Sequence, residues 1–154
     1  MMMVVLTISD ASWMKMRKDE SGPAVKARLE EKGWVVPVLE ILPDERPLIE
    51  TRLRELADSG DYAGIFTTGG TGPAPRDVTP EATTAVIERP MPGLSERMRA
   101  EGARVTPFAA LSRGVCGIRG KTLIVNLPGS PKGAVESVDA ILELIPLLVQ
   151  LMRP

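Results

Sequence analysis

Carboxylates and glycines carry the chemical possibilities of this chain, because it contains no histidine and a single cysteine, Cys116. His-based triads, zinc fingers and imidazole acid–base catalysis are thereby excluded, as is an internal disulfide. The carboxylates near expected loops are Asp10, Asp19, Asp44 and Asp77. Asp77 belongs to the densest glycine stretch, Ile65 to Pro80, IFTTGGTGPAPRDVTP. Gly69, Gly70 and Gly72 reach backbone angles closed to other residues and let a ligand approach the main chain. A turn of this kind, feeding a helix, presents N–H groups to an anion such as a phosphate. It lacks the Gly-Lys-Ser/Thr ending of a Walker A loop and the spacing of a dinucleotide fingerprint. Taken alone it reads equally as a phosphate cradle or a structural turn. Asp44 and Asp77 each precede an expected helix and would serve as caps. In a phosphate-handling enzyme without histidine they would instead hold Mg²⁺, with positioning and charge neutralisation replacing a tuned base.

A second turn, Asn126 to Lys132, reads NLPGSPK. Ser130 caps the helix that follows, Pro131 takes its first position, and Lys132 is either a phosphate contact or a solvated lysine. Arg113 and Arg119 flank an expected hairpin, and Cys116 alternates within a strand as a core residue.

These residues need a frame of strands and helices. Strands are expected at 2–8, 34–42, 62–67, 112–118 and 122–127, and helices at 21–32, from 43–45 to 58, 79–88, 94–102 and 131–152. Ser21 and Thr79 are expected as N-caps, and Pro80 as the first helical residue. Leu48, Ile49, Leu53 and Leu56 are expected to face inward. Pro37 suits an edge strand or a bulge, and Pro146 should kink the last helix. Residues 11–20 have no period and read as an exposed loop, whose Trp13, Met14 and Met16 either pack against the protein or a neighbouring subunit or close over a ligand. Strands alternating with helices define a three-layer α/β/α sandwich around a mostly parallel sheet. Ligands of such folds bind beyond the C-terminal strand ends, where both Gly/Pro turns fall.

The 154 residues suffice for one domain, 1–154. Net charge is −1 and aromatics are 3 %, which gives no case for nucleic-acid binding. No apolar run approaches the roughly 20 residues of a membrane span, and Met1 to Leu6 lacks the charged flank of a signal peptide. A cytoplasmic location is expected.

With these segments in place, the chain resembles the MogA/MoaB family of molybdenum-cofactor biosynthesis proteins, which includes the gephyrin G domain. The resemblance rests on ISD (8–10), DESGP (19–23), LPDE (42–45), TTGGTGPAPRDVTPEAT (67–83), PG (92–93), LSR (111–113), GIRG (117–120) and NLPGSPK (126–132). It implies an α/β/α fold and a trimer or a hexamer of two trimers. The implied reaction is adenylyl transfer from Mg-ATP to the terminal phosphate of molybdopterin, with release of pyrophosphate. Carried onto this chain, Asp44 and Asp77 match the two key acidic positions, catalytic and Mg²⁺-holding. Gly69, Gly70, Thr71 and Gly72 match the phosphate loop. Ser112, Arg113, Pro128, Gly129, Ser130 and Lys132 fall in pocket-lining segments, and Asp19 and Ser21 near the nucleotide end. Where many relatives carry glycine and arginine after Ser-Asp, this chain has Ala11-Ser-Trp-Met-Lys-Met. Other implied partners are proteins of the same biosynthetic route; the alternative is a MoaB-type protein that binds molybdopterin without catalysis.

Overall fold

A computed structural model describes residues 1–154. Six strands form one sheet in the order β2-β1-β3-β6-β5-β4. They are β1 (Met2–Ile8), β2 (Val35–Leu42), β3 (Gly64–Thr68), β4 (Arg89–Pro90), β5 (Cys116–Arg119) and β6 (Thr122–Leu127). The β1–β2, β1–β3 and β3–β6 pairings are parallel, whereas β5 runs antiparallel to β6 and β4 to β5. Central strands covered on both faces read as continuous apolar runs, and their alternate residues enter different cores. Met3, Val5, Phe66, Leu123 and Val125 face a cluster that includes Val25, Leu29, Met98, Val138 and Ile141. Val4, Leu6, Ile8, Ile65 and Ile124 face Ile49, Leu53, Leu56, Ala82 and Val86 on the other side.

The covering helices are α2 (Ser21–Glu31), α3 (Arg46–Asp58), α4 (Thr79–Val86), α5 (Pro92–Ala103), α6 (Pro131–Ile141) and α7 (Ile145–Met152), with a single turn, α1 (Asp10–Trp13), after β1. The expected three-layer sandwich and its mostly parallel sheet are present. β2 is an edge strand, which accommodates Pro37 and its missing N–H.

Several local expectations fail for identifiable reasons. Residues 10–13 form α1 because Ser9 Oγ accepts from Ser12 N at 3.1 Å. Ser21 does not cap α2: its hydroxyl bonds Thr68 Oγ1 at 2.8 Å, and Asp19 Oδ1 accepts from Gly22 N instead. Thr79 is the first residue of α4 rather than its cap, and its hydroxyl donates to Gly69 O at 3.0 Å. Leu48 is exposed, since Ile49, Leu53, Leu56 and Ala57 make the buried stripe of α3. β5 begins at Cys116, because Arg113 N and Val115 N are drawn to Thr71 O and Asn126 Oδ1 instead of a ladder. The last helix breaks at a 3₁₀ turn, Leu142–Leu144, so Pro146 sits harmlessly in the first turn of α7. β4 is an extra edge strand of two residues.

Both chain ends are fastened where the parallel strands begin. Val35 N donates to Met1 O at 2.9 Å. Arg153 donates to the carbonyls of Lys121, Gly60 and Tyr62, just ahead of β6 and β3.

Candidate functional site

The glycine loop leaves β3 in a conformation that its sequence requires. Gly69 and Gly70 have φ of 91° and 68°, the left-handed region that glycine enters without strain. Space is the second constraint. A Cβ on Gly69 would strike Ile8 O; one on Gly70 would strike Thr79 Oγ1 and come within 3.1 Å of Asp44 Oδ1. The loop is tied to its neighbours by Gly69 N to Leu127 O (3.0 Å) and Thr79 N to Gly70 O (3.2 Å). Behind it, Asn126 Nδ2 donates to Thr67 Oγ1 and Thr83 Oγ1, so β3, β6 and α4 share one buried polar node.

Asp44 stands beside this loop, at the end of β2. It exchanges backbone-to-carboxylate hydrogen bonds with Asp10: Asp10 N to Asp44 Oδ2 and Asp44 N to Asp10 Oδ1, both 2.9 Å. Its other oxygen, Oδ1, is buried and has no hydrogen-bond partner. Burial pushes the Asp44 carboxyl above the ordinary carboxylate range. The Asp10 N–H opposes this, the charges of Asp10 and Asp77 reinforce it, and Arg76 opposes it. Arg76 reaches across to Asp10 (3.0 and 3.1 Å) and Glu45 (3.0 Å), which screens the acidic group on its solvent side.

Arg113 braces the loop from outside. Its guanidinium donates to Gly72 O (2.9 Å), Asp77 O (2.9 Å) and both carboxylate oxygens of Glu81. The bidentate pair holds the Glu81 carboxyl below its usual range. Asp77 Oδ2 accepts from Ala74 N at 3.0 Å.

Two cavities open at the C-terminal strand ends. One, of about 800 Å³, has Ile8 as its one hydrophobic lining residue and is lined by Asp19, Ser21, Asp44 and Gly69, among others. The second, of about 440 Å³, is lined by Thr71, Gly72, Ser112 and Pro128 and reaches Met98 and Phe108. They meet at Gly70, Asp77, Gly129 and Ser130, which line both. Close approach of the two turns makes this junction: a Cβ on Gly129 would lie 3.4 Å from Gly69 Cα. Ser130 Oγ caps α6 by accepting from Gly133 N, as the sequence suggested.

Twelve of the fourteen site residues expected from the sequence therefore line one cavity or both. Two do not. Arg113 is engaged with Glu81 outside the loop, and Lys132 is solvent-exposed, 3.9 Å from Glu136. Sequence reasoning passed over Arg76 and Asp10 as partners of Asp44, although RDVTP and ISD contain them. It gave no signal at all for Ser95 and Arg99, which line the smaller cavity from α5.

No three His, Cys, Asp or Glu side chains gather closely enough to cage a metal. The arrangement is an open one, with Asp19, Glu20, Asp44 and Asp77 lining one of two compartments that share a wall. An α/β sheet with a divided cavity beyond its C-terminal strand ends is the architecture of a ligand-binding α/β/α protein. Sequence comparison narrows that class: the chain belongs to the family described as probable molybdopterin binding domain, which matches residues 4–149. The Drosophila melanogaster molybdenum cofactor synthesis protein cinnamon is 47 % identical over 149 residues, 96 % of this chain, which spans only 25 % of that longer protein. Molybdopterin adenylyltransferase of Helicobacter pylori is 43 % identical over 152 residues, covering 96 % of this chain and 85 % of its own length. The crystal structure of molybdopterin biosynthesis enzyme MoaB from Thermus thermophilus superposes with a TM-score of 0.93 at 48 % identity, over 98 % of this chain and 95 % of that one.

Proposed function

We propose that this protein is a molybdopterin adenylyltransferase, which transfers AMP from Mg-ATP to the terminal phosphate of molybdopterin and releases pyrophosphate. The observation that carries the reading is the shared wall of the two cavities at Gly70, Asp77, Gly129 and Ser130. A group passing between two substrates needs such a junction. A phosphate oxygen of the pterin attacks the α-phosphorus of ATP. The bond to the β-phosphate breaks, and pyrophosphate leaves with its electron pair. The attacking phosphate is already ionised near neutral pH, its second pKa being about 6, so no general base is required. The absence of histidine is consistent with this chemistry.

The residues present fit Mg²⁺. Asp44 Oδ1 is a buried, unpartnered hard donor, and Asp77 lines the same cavity. Two carboxylates leave positions for water and phosphate oxygens, the usual Mg²⁺ arrangement. When bound, the ion neutralises phosphate charge. In this reading Asp44 and Asp77 hold it, and Gly70, Thr71 and Gly72 cradle phosphate with main-chain N–H groups, while Gly69, whose own N–H goes to Leu127 O, shapes the turn. Asp19 and Ser21 line the nucleotide side, with Ser112, Pro128, Gly129 and Ser130 on the other walls. Arg113 holds the loop to α4. Residues 1–154 act as one domain, with a core on each face of one sheet.

The protein works as a homo-oligomer, a trimer or a hexamer. Supporting this are exposed apolar side chains, Trp13, Met14, Met16, Phe108, Leu147 and Leu151 among them, which a neighbouring copy would remove from water. Light scattering over a wide dilution range is expected to give a multiple of the chain mass, and a monomer throughout would refute it. The activity test is pyrophosphate release from ATP with Mg²⁺, with and without molybdopterin. Release that depends on molybdopterin is expected. Binding of molybdopterin without release would make this a non-catalytic carrier.

A further inference from the structure

We infer that Arg17 and Lys18 bind the β- and γ-phosphates of the nucleotide and stabilise pyrophosphate as it leaves. The inference rests on the adenylyl-transfer reading and assigns the polyphosphate to the polar cavity. Both residues line that cavity, and both are exposed. Neither has a hydrogen bond or an ion pair within the chain, unlike Arg76, Arg113 and Arg119, which are all engaged by carboxylates. Arg99, which lines the smaller cavity, is spent on the carbonyls of Ser112 and Gly114. Arg17 and Lys18 are therefore the only cationic side chains lining either cavity that keep all their donors free.

The electrostatics call for them. The polar cavity also carries Asp19, Glu20, Asp44 and Asp77, four carboxylates against two cations. A polyphosphate entering it meets net negative charge. One divalent ion held by Asp44 and Asp77 offsets only part of this at the reacting phosphorus, whereas the charge that develops during transfer appears on the departing pyrophosphate. Free guanidinium and ammonium groups at the opening meet that charge directly.

The backbone points the same way. Lys15 holds a φ of 59°, in the left-handed region unfavourable to a lysine. That reversal follows α1, whose first residue, Asp10, is latched to Asp44 by the reciprocal hydrogen bonds. Further on, Asp19 is fixed by Thr7 Oγ1 at 2.7 Å and by Gly22 N at 3.1 Å. The segment carrying Arg17 and Lys18 is thus anchored at both ends, one of them at Asp44, a carboxylate proposed to hold Mg²⁺.

The test compares the wild type with the double variant Arg17→Gln/Lys18→Gln and with the charge-keeping swap Arg17→Lys/Lys18→Arg. Calorimetry measures Mg-ATP, inorganic pyrophosphate and AMP, and a thermal melt checks folding. The double variant is expected to lose tenfold or more in affinity for ATP and for pyrophosphate, to hold AMP within twofold, and to melt as the wild type does. The swap should recover most of the loss. If wild-type protein binds ATP and the double variant binds ATP and pyrophosphate equally well, the inference is wrong and the adenylyl-transfer reading stands. Equal weakening toward ATP and AMP also overturns it, since the cations would then not read the outer phosphates. Wild-type protein that binds neither ATP nor pyrophosphate overturns both.

Discussion

Replacing Asp44 by asparagine should separate stability from catalysis. The amide keeps an oxygen to accept from Asp10 N, and it exchanges the buried, unpartnered Oδ1 for an NH₂. In turnover, the loss of one electrostatic group at the phosphates costs a factor of about 10²–10³, or about 2.7–4 kcal/mol of barrier. In stability the sign reverses. Burial raises the Asp44 carboxyl above its ordinary value, so the folded state holds that proton more tightly than the unfolded chain does. The resulting penalty is absent below the unfolded value of about 3.9. It grows as pH rises through the raised folded value and is complete above it. Asparagine carries no such penalty. Discounted for solvent screening of a half-exposed group, the variant should gain no more than about 1 kcal/mol at neutral pH. That corresponds to roughly 2–4 °C in Tm, and the gain should shrink near about pH 4. Urea titrations at the two pH values measure stability, and pyrophosphate release measures turnover. A variant with near wild-type turnover would show that this carboxylate does not act on the phosphates, and one destabilised by more than about 1 kcal/mol at neutral pH would refute the burial argument, because asparagine caps as well as aspartate.

Gly70→Ala should lose nucleotide binding and about 1–3 kcal/mol of stability, because its methyl group meets Thr79 Oγ1 at a positive φ. Gly93→Ala, in open space on α5, should gain a few tenths of a kcal/mol, roughly the entropic benefit of alanine, and denaturant midpoints compare the two. Asn126→Ala should cost roughly 2–4 kcal/mol, since it strands Val115 N and two buried threonine hydroxyls; a midpoint close to wild type would refute that node. Burial pushes the Cys116 thiol up to about 11, so native protein at mildly alkaline pH should resist iodoacetamide and react fully once unfolded.

Where the sequence carried a period or a punctuation mark, the structure could be read from it. β1 runs over the expected residues, and the two Gly/Pro turns sit at adjacent strand ends and share a cavity wall. Errors arose where a side chain's partner is remote in sequence. Ser21 and Thr79 look like caps locally, yet their hydroxyls belong to Thr68 and Gly69. Helical periodicity placed Leu48 one residue off the buried stripe. The expected site residues were legible as a set because both loops are short and rich in glycine. Arg113 and Lys132 stood apart because charge alone does not reveal which acid a cation will meet, here Glu81 and Glu136. The Asp10–Asp44 latch joins two loops through a register that only the parallel β1–β2 pairing creates.

The anchoring of Met1 and Arg153 at the beginnings of the strands has a consequence for modular architecture. Every ligand-facing loop leaves the sheet at its opposite edge. Polypeptide attached at either end would depart from the far side and leave the mouth of the cavities clear. Such a unit can be strung between other modules as a bead with its opening outward.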